Sequence, residues 1–263
     1  MSLQPPRIMG ILNVTPDSFY ESSRSNNEIL ISDRVKAMIE EGVDIIDIGG
    51  CSTRPGYEAP SPEEEWARID LGCKIVREIW PDAPISVDTF RSIVAQKAIE
   101  TWNVAIINDI SGGSDPLMWE TVAKTGVAYV LTDNSQEKER EFQDVTAEII
   151  TDLSKKVNEL HRLGVNDIII DPGFGFSKTL DENFILLEAL EEIVRMGYPV
   201  LVGISRKSMI YKWLDKTAEE ALGGTIALDA IALEKGADIL RVHDVREAVE
   251  TVKLFSKLKR LSV

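Results

Sequence analysis

Asn166-Asp167-Ile168-Ile169-Ile170-Asp171-Pro172-Gly173-Phe174-Gly175-Phe176-Ser177-Lys178 is the stretch that decides the fold. Its short β-branched run carries no helical spacing and reads as a strand buried on both faces. Asp171 is then the last residue of that strand or the first beyond it. Pro172 has no N–H with which to continue a ladder. The glycines around Phe174 mark a tight loop where backbone can approach a ligand. A carboxylate, an aromatic and a lysine in one loop describe a binding site as readily as a capped turn with a surface lysine. Other strand ends in the chain read the same way, and they favour the site.

Outward from that stretch, strands and helices alternate along the whole chain. Strands are expected at residues 8–12, 43–48, 85–87, 104–107, 127–131, 166–170, 198–204 and 239–244. Helices are expected at about 27–41, 61–79, 91–100, 116–125, 145–163, 179–197, 207–214, 218–235 and 245–258. Ser61-Pro62-Glu63-Glu64-Glu65 is a strong helix start, with a serine cap, a proline in the first turn and acids at the positive end of the dipole. Residues 22–27 read as a polar loop. Eight βα units over 263 residues, with no linker-like break, predict one (β/α)8 TIM barrel spanning residues 1–263. An open doubly wound sheet is the structural alternative, but no G-x-G-x-x-G follows the first strand.

Composition narrows the functional classes. A formal net charge of −15 argues against a nucleic-acid or anionic-membrane surface. It leaves room for an anionic small ligand held by a local cluster of cations. Cys51 and Cys73 have neither metal nor redox spacing and are expected reduced and inert. Residues 1–7 lack the apolar core of a signal sequence, and no later run has membrane-spanning length. A soluble cytoplasmic protein is expected.

In a TIM barrel the loops after the strands share one face. That face collects Asn13, Thr53, Arg54, Asp88, Asn108, Asp171, Lys207, Arg241 and His243. The cations, with Asn13, Thr53 and a divalent metal, suit a di- or polyphosphate. Aspartate and asparagine at neighbouring strand ends suit a flat heterocycle with adjacent donors and acceptors. Arg241 and His243 flank Val242 and so point the same way.

Five segments, in order along the chain, resemble the signatures of the dihydropteroate synthase family. They are Asn13-Val14-Thr15-Pro16-Asp17-Ser18-Phe19, Asp47-Ile48-Gly49-Gly50 with Ser52-Thr53-Arg54-Pro55-Gly56, Asp171-Pro172-Gly173-Phe174-Gly175-Phe176, Ser205-Arg206-Lys207-Ser208 and Arg241-Val242-His243-Asp244. The resemblance implies a barrel that joins 6-hydroxymethyl-7,8-dihydropterin diphosphate to para-aminobenzoate and releases pyrophosphate. It implies that Asp88, Asn108, Asp171 and Lys207 hold the pterin and that Asn13 helps bind Mg²⁺. It assigns Thr53, Arg54, Arg241 and His243 to the diphosphate, and Phe176 and Ser208 to para-aminobenzoate. Asp17 and Phe19 would close over the site, and Asp171, Lys207, Arg241 and His243 would act with them in the reaction. A homodimer and a sulfonamide target are implied as well, with the apolar stripes of the last two helices as candidate dimer face.

Plainer roles stand beside these. Asn13, Asp88 and Asp171 could each cap a turn or helix, Arg54 could be a solvated loop charge, and Phe174 reads as a core plug. His161 and the run Glu137-Lys138-Glu139-Arg140-Glu141 read as solvated surface. One segment departs from the family pattern: Val130-Leu131-Thr132-Asp133-Asn134 stands where relatives commonly carry a Met-His-Met-like sequence, and Leu131 is expected to replace the methionine packing surface. Cys51 stands where an acid is common. A methyltetrahydrofolate-dependent corrinoid methyltransferase would share Asp88, Asn108 and Asp171 but not need Arg54, Lys207, Arg241 and His243 together. A non-catalytic pterin-binding protein is the reading from another class. A phosphosugar aldolase or isomerase would want a Schiff-base lysine or a paired Glu/His, and neither is evident.

Overall fold

The structure is a computed structural model that describes residues 6–15, 24–51, 59–134 and 145–261. Eight parallel strands run in the order β6-β5-β4-β3-β2-β1-β8-β7. They are β1 (Arg7–Asn13), β2 (Ile45–Gly49), β3 (Ile85–Asp88), β4 (Ile106–Asp109), β5 (Ala128–Thr132), β6 (Ile168–Asp171), β7 (Leu201–Val202) and β8 (Ile239–Val242). A parallel bridge between Ile170 and Val200 joins the two ends of the sheet and closes the barrel. Ile170 N–H donates to the carbonyl of Pro199 there, at 2.8 Å.

The helices pack outside: α1 (Arg24–Glu41), α2 (Pro62–Ile79), α3 (Ser92–Trp102), α4 (Met118–Thr125), α5 (Val145–Arg162), α6 (Leu180–Glu188), α7 (Leu190–Val194), α8 (Ser208–Tyr211), α9 (Leu222–Glu234) and α10 (Val245–Leu261). Ser61 caps α2 in a full capping box with Glu64, and Thr179 caps α6 in the same way with Glu182. None of the described helices is long and apolar enough to cross a membrane.

Several expected spans differ, and the helix expected at 207–214 is only Ser208–Tyr211. α1 starts at Arg24, so part of the expected polar loop at 22–27 is helical. The long seventh strand shrinks to Leu201–Val202, because Pro199 has no N–H to give and Val200 N–H goes to the Asp238 side chain at 3.0 Å. The helix expected at 179–197 divides at Ala189, where the chain tightens to an i→i−3 bond from Glu192 N–H to Ala189 O.

Two apolar layers hold the barrel. The larger lies between sheet and helices and includes Tyr129, Leu131 and Phe174, so Phe174 is the core plug the sequence suggests. The smaller, Met9, Ile45, Ile106, Val130, Ile169, Leu201 and Ile239, draws on seven strands and no helix. It is the barrel's interior. Strand alternation then makes the residue two positions further along each strand the next inward side chain.

Candidate functional site

Two residues beyond the interior isoleucines and valine stand Asp47 on β2, Asn108 on β4, Thr132 on β5, Asp171 on β6 and Arg241 on β8. The C-terminal ends of the strands therefore carry a polar layer directly on top of the apolar one. Arg241 is its hub. Its Nε donates to Asp47 Oδ2 at 2.7 Å and its NH2 to Asp88 Oδ2 at 2.5 Å. Asn108 Nδ2 donates to the same Asp47 oxygen at 3.1 Å. Burial works against the guanidinium charge, but Asp47, Asp88 and Asp171 outweigh it and hold its pKa above the usual arginine value. The Asp88 carboxyl is pushed upward by burial and by Asp47, with Arg241 opposing.

Asp171 ends β6 and is buried, and its Oδ1 accepts the Gly173 N–H at 2.8 Å. Burial raises its pKa, and Lys207 is the chief opposing charge. Lys207 lies just past β7. Its Nζ donates to Phe174 O and sits 4.5 Å from the centre of the Phe176 ring, a cation–π contact. Burial moves its pKa down to about 8, against the pull of Asp171, so the amine stays largely charged at neutral pH. Gly175 makes this approach possible, since a Cβ there would fall 2.8 Å from Lys207 Cδ.

His243 follows β8, and its Nδ1 lies 3.0 Å from Ser205 Oγ. The residue is exposed as a whole. Desolvation of its ring, then repulsion from Arg241, hold its pKa below the ordinary histidine value, so it is neutral at neutral pH. Arg206, beside it, takes no part in the mouth: it grips Asp244 through two bonds of 2.8 Å. Ser208 opens α8 directly after Lys207. Asn13 ends β1, exposed, and Gly49 leaves open space between Asn13 Oδ1 and Asp88: a Cβ there would lie 3.4 and 3.7 Å from them.

The structure thus brings together Asn13, Asp88, Asn108, Asp171, Phe176, Lys207, Ser208, Arg241 and His243 at one mouth. Asp17, Phe19, Thr53 and Arg54 lie outside the described residues, as does the acidic run at 137–141. The roots of the second loop are described: Arg68 donates to Gly50 O at 3.0 Å, and Glu65, fully buried, pairs with Arg91 and Thr89. Neither Cys51 nor Cys73 is in a disulfide. Exposed His161 bonds Tyr198 and the Val165 carbonyl at the opposite, N-terminal side.

Leu131 does not line the pocket. It belongs to the outer layer beneath the helices, because β5 alternates and Val130 and Thr132 take the inward places. The surface facing the mouth here is Thr132, fully buried with its Oγ1 lacking a partner among the described residues. Asp47 Oδ1 and Asn108 Oδ1 are in the same state. Asp47 stands in one of the five family segments and Thr132 in the departing one, but neither has a role in the site assigned from sequence. For Asp47 the signal was present, as a charged residue in an otherwise apolar strand.

Among the described residues no group of three or more His, Cys, Asp or Glu side chains could hold a metal ion. The fit to Mg²⁺ is therefore of another kind. Mg²⁺ keeps most of its waters and takes few protein ligands when a phosphate supplies the rest, and one exposed amide oxygen at Asn13 suits that pattern.

The family model described as pterin binding enzyme matches residues 9–243. A dihydropteroate synthase of Clostridium beijerinckii is 43% identical over 251 residues, covering 94% of this chain and 92% of the relative. The solved structure of Xanthomonas albilineans dihydropteroate synthase with 4-aminobenzoic acid aligns with a TM-score of 0.91 at 33% identity, covering 98% of this chain and 95% of that one. That of the Clostridium difficile dihydropteroate synthase in the presence of pteroic acid aligns with a TM-score of 0.90 at 34% identity, covering 97% of each.

Proposed function

The chain belongs to the pterin-binding enzyme family, as one of its dihydropteroate synthases, and on that premise we propose how its barrel mouth joins 6-hydroxymethyl-7,8-dihydropterin diphosphate to para-aminobenzoate. The observation that carries the proposal is the polar layer: buried oxygens on Asp47, Asn108 and Thr132 without partners among the described residues, beside Asp171 and Lys207. Such groups cost stability unless a ligand completes them. A flat ring with alternating donors and acceptors does so.

In this reading Asp171 accepts ring N–H groups with the oxygen that Gly173 leaves free, Asn108 and Asp88 read the ring edge, and Lys207 donates to it. The diphosphate extends toward Asn13, Arg241 and His243, with Thr53 and Arg54 from the second loop. Arg241 carries a fixed positive charge, and neutral His243 donates from a ring nitrogen. Together they offset the charge that develops on the departing pyrophosphate. Asn13 would help hold Mg²⁺, which would supply further charge neutralisation when bound. The carbon left behind is cationic, delocalised into the electron-rich pterin and stabilised by Asp171, so the path is SN1-like and the weakly nucleophilic amine needs no strong base. Phe176 and Ser208 border the para-aminobenzoate. Asp17 and Phe19, on the first loop, close the mouth and exclude water that would trap the cation.

Formation of dihydropteroate by the purified protein, with and without Mg²⁺ and with Arg241→Ala as control, tests this. Metal-dependent product that disappears in the variant supports the reading. Tight pterin binding without product returns the protein to a binding role. The homodimer is proposed on α9 and α10, where Ile231, Leu254 and Leu258 are exposed, Leu254 by 71%. Sedimentation of the wild type against Leu254→Glu with Leu258→Glu checks it, a dimer in the first and a monomer in the second being expected.

A further inference from the structure

The segment after β5 departs from the family pattern, yet its side chains are engaged on every side. Asp133 and Lys178 form an ion pair of 2.8 Å with both side chains fully buried. Lys178 Nζ also donates to the carbonyls of Gly173 at 3.1 Å, Phe176 at 3.3 Å and Asp133 at 3.4 Å. One residue on, Asn134 Oδ1 accepts from Ser177 Oγ at 3.0 Å, and Asn134 Nδ2 donates to Ile110 O at 3.0 Å. Ser177 has φ 47°, a left-handed conformation that a non-glycine residue keeps only when its surroundings impose it. The two loops also meet backbone to backbone: a Cβ on Gly173 would fall 1.8 Å from Asp133 O.

A buried ion pair gives little net stability over an apolar pair of equal volume, because both charges lose their water. What it does give is direction. Apart from the bond from Asn134 to Ile110 O, each bond in this cluster has an end on the loop at 173–178, and that loop supplies both groups that meet Lys207, the Phe174 carbonyl and the Phe176 ring.

We propose that Asp133 and Asn134 are positioning residues: through Lys178 and Ser177 they hold the 173–178 loop so that Phe176 presents the para-aminobenzoate end of the mouth. The proposal rests on the assignment of Phe176 to that substrate. Asp133 and Asn134 touch no reacting atom. They set where the amine comes to rest relative to the pterin carbon, and misplacement by about 1 Å there is enough to be seen in the kinetics.

The experiment compares KM for para-aminobenzoate and for the pterin diphosphate, with kcat and the thermal midpoint, in three variants. Asp133→Leu with Lys178→Met replaces the ion pair by an apolar pair, Asn134→Ala releases Ser177 alone, and Phe176→Ala removes the proposed contact. The double variant is expected to unfold cooperatively, raise the para-aminobenzoate KM about tenfold and leave that for the pterin diphosphate within about twofold. Asn134→Ala is expected to move in the same direction by about threefold. Wild-type KM values in the double variant, or equal rises for both substrates, overturn the proposal. Where the double variant fails to fold, an unchanged para-aminobenzoate KM in Asn134→Ala overturns it. A wild-type KM in Phe176→Ala removes the Phe176 assignment and the proposal with it. A raised KM there beside unchanged values in the other variants overturns the proposal alone.

Discussion

Along β2, β4, β5, β6 and β8 the inward side chain changes character within two residues: Ile45 gives way to Asp47, Ile106 to Asn108, Val130 to Thr132, Ile169 to Asp171 and Ile239 to Arg241. Both layers are buried apart from the partly exposed Arg241, so burial alone does not distinguish them. The lower layer is satisfied by its own contacts, since dispersion needs only neighbours at the right distance. The upper layer is not closed in itself: Arg241 balances Asp47 and Asp88, but oxygens on Asp47, Asn108 and Thr132 stay without partners among the described residues. The lower layer fixes the barrel and so allows the upper one to keep dipoles aimed at a ligand instead of at each other. Stability and recognition are thus separated by one step of strand alternation.

The sharpest way to break that separation is on β8. Arg241→Ala is expected to lower kcat/KM by about a thousandfold or more, with a cooperative fold retained because Asp88, already shifted upward, can take a proton beside Asp47. Ile239→Ala, two residues earlier, is expected to cost about 2–5 kcal/mol of unfolding free energy and to leave kcat of the folded protein near wild type. Denaturant titration with steady-state kinetics on both variants checks this. If both lose activity and stability in the same proportion, the layers are one unit and the contrast fails.

Helix α9 offers a comparison outside the barrel. Asp229 is buried there with Oδ1 unpartnered, and burial, then Asp244, push its carboxyl up to about 8. Its pKa is higher folded than unfolded, so its contribution is fully present below about pH 4 and is lost as pH rises toward about 8. Asp229→Asn removes that loss. The stability difference between variant and wild type is expected to grow in the variant's favour by about 5 kcal/mol between pH 4 and pH 8, read from denaturant midpoints across that range. Parallel curves would mean that the carboxyl is ionised in the fold.

Asp171→Asn tests the upper layer one side chain at a time. The amide keeps one acceptor oxygen for Gly173 but loses the charge, so pterin affinity is expected to fall by about ten- to a hundredfold, measured by calorimetry. Unchanged affinity leaves Asp171 as a cap on its own loop.

How much of this was legible follows from what each residue's neighbours are. Asp171 could be read because three isoleucines and then Pro172 and Gly173 mark where the strand stops. The alternation of elements gave the barrel for the same local reason. Asp47 was harder: it lies within the strand, and its meaning comes from Arg241, 194 residues away along the chain. Leu131 and Thr132 were exchanged because parity on β5 is set by register, through Asn108 facing Val130, and a one-residue error turns each side chain to the other face. The Asp133–Lys178 pair joins two loops 45 residues apart and has no signature in either.

Thr132 allows the smallest and most specific test of the two layers. Thr132→Val changes the hydroxyl to a methyl of nearly the same volume, and so converts one upper-layer position into the kind of side chain found at Val130 directly below. Nothing among the described residues bonds that hydroxyl, so the substitution breaks no hydrogen bond among them and removes a buried polar group. Stability is expected to stay level or rise by up to about 1 kcal/mol. If the hydroxyl serves the heterocycle, pterin affinity falls by about three- to tenfold while para-aminobenzoate KM stays near wild type. Opposite signs on stability and affinity are the decisive outcome, because a group that only packs moves both the same way. A variant more stable and equally tight would place Thr132 with the residues beneath it, and the boundary between the layers one position higher on β5.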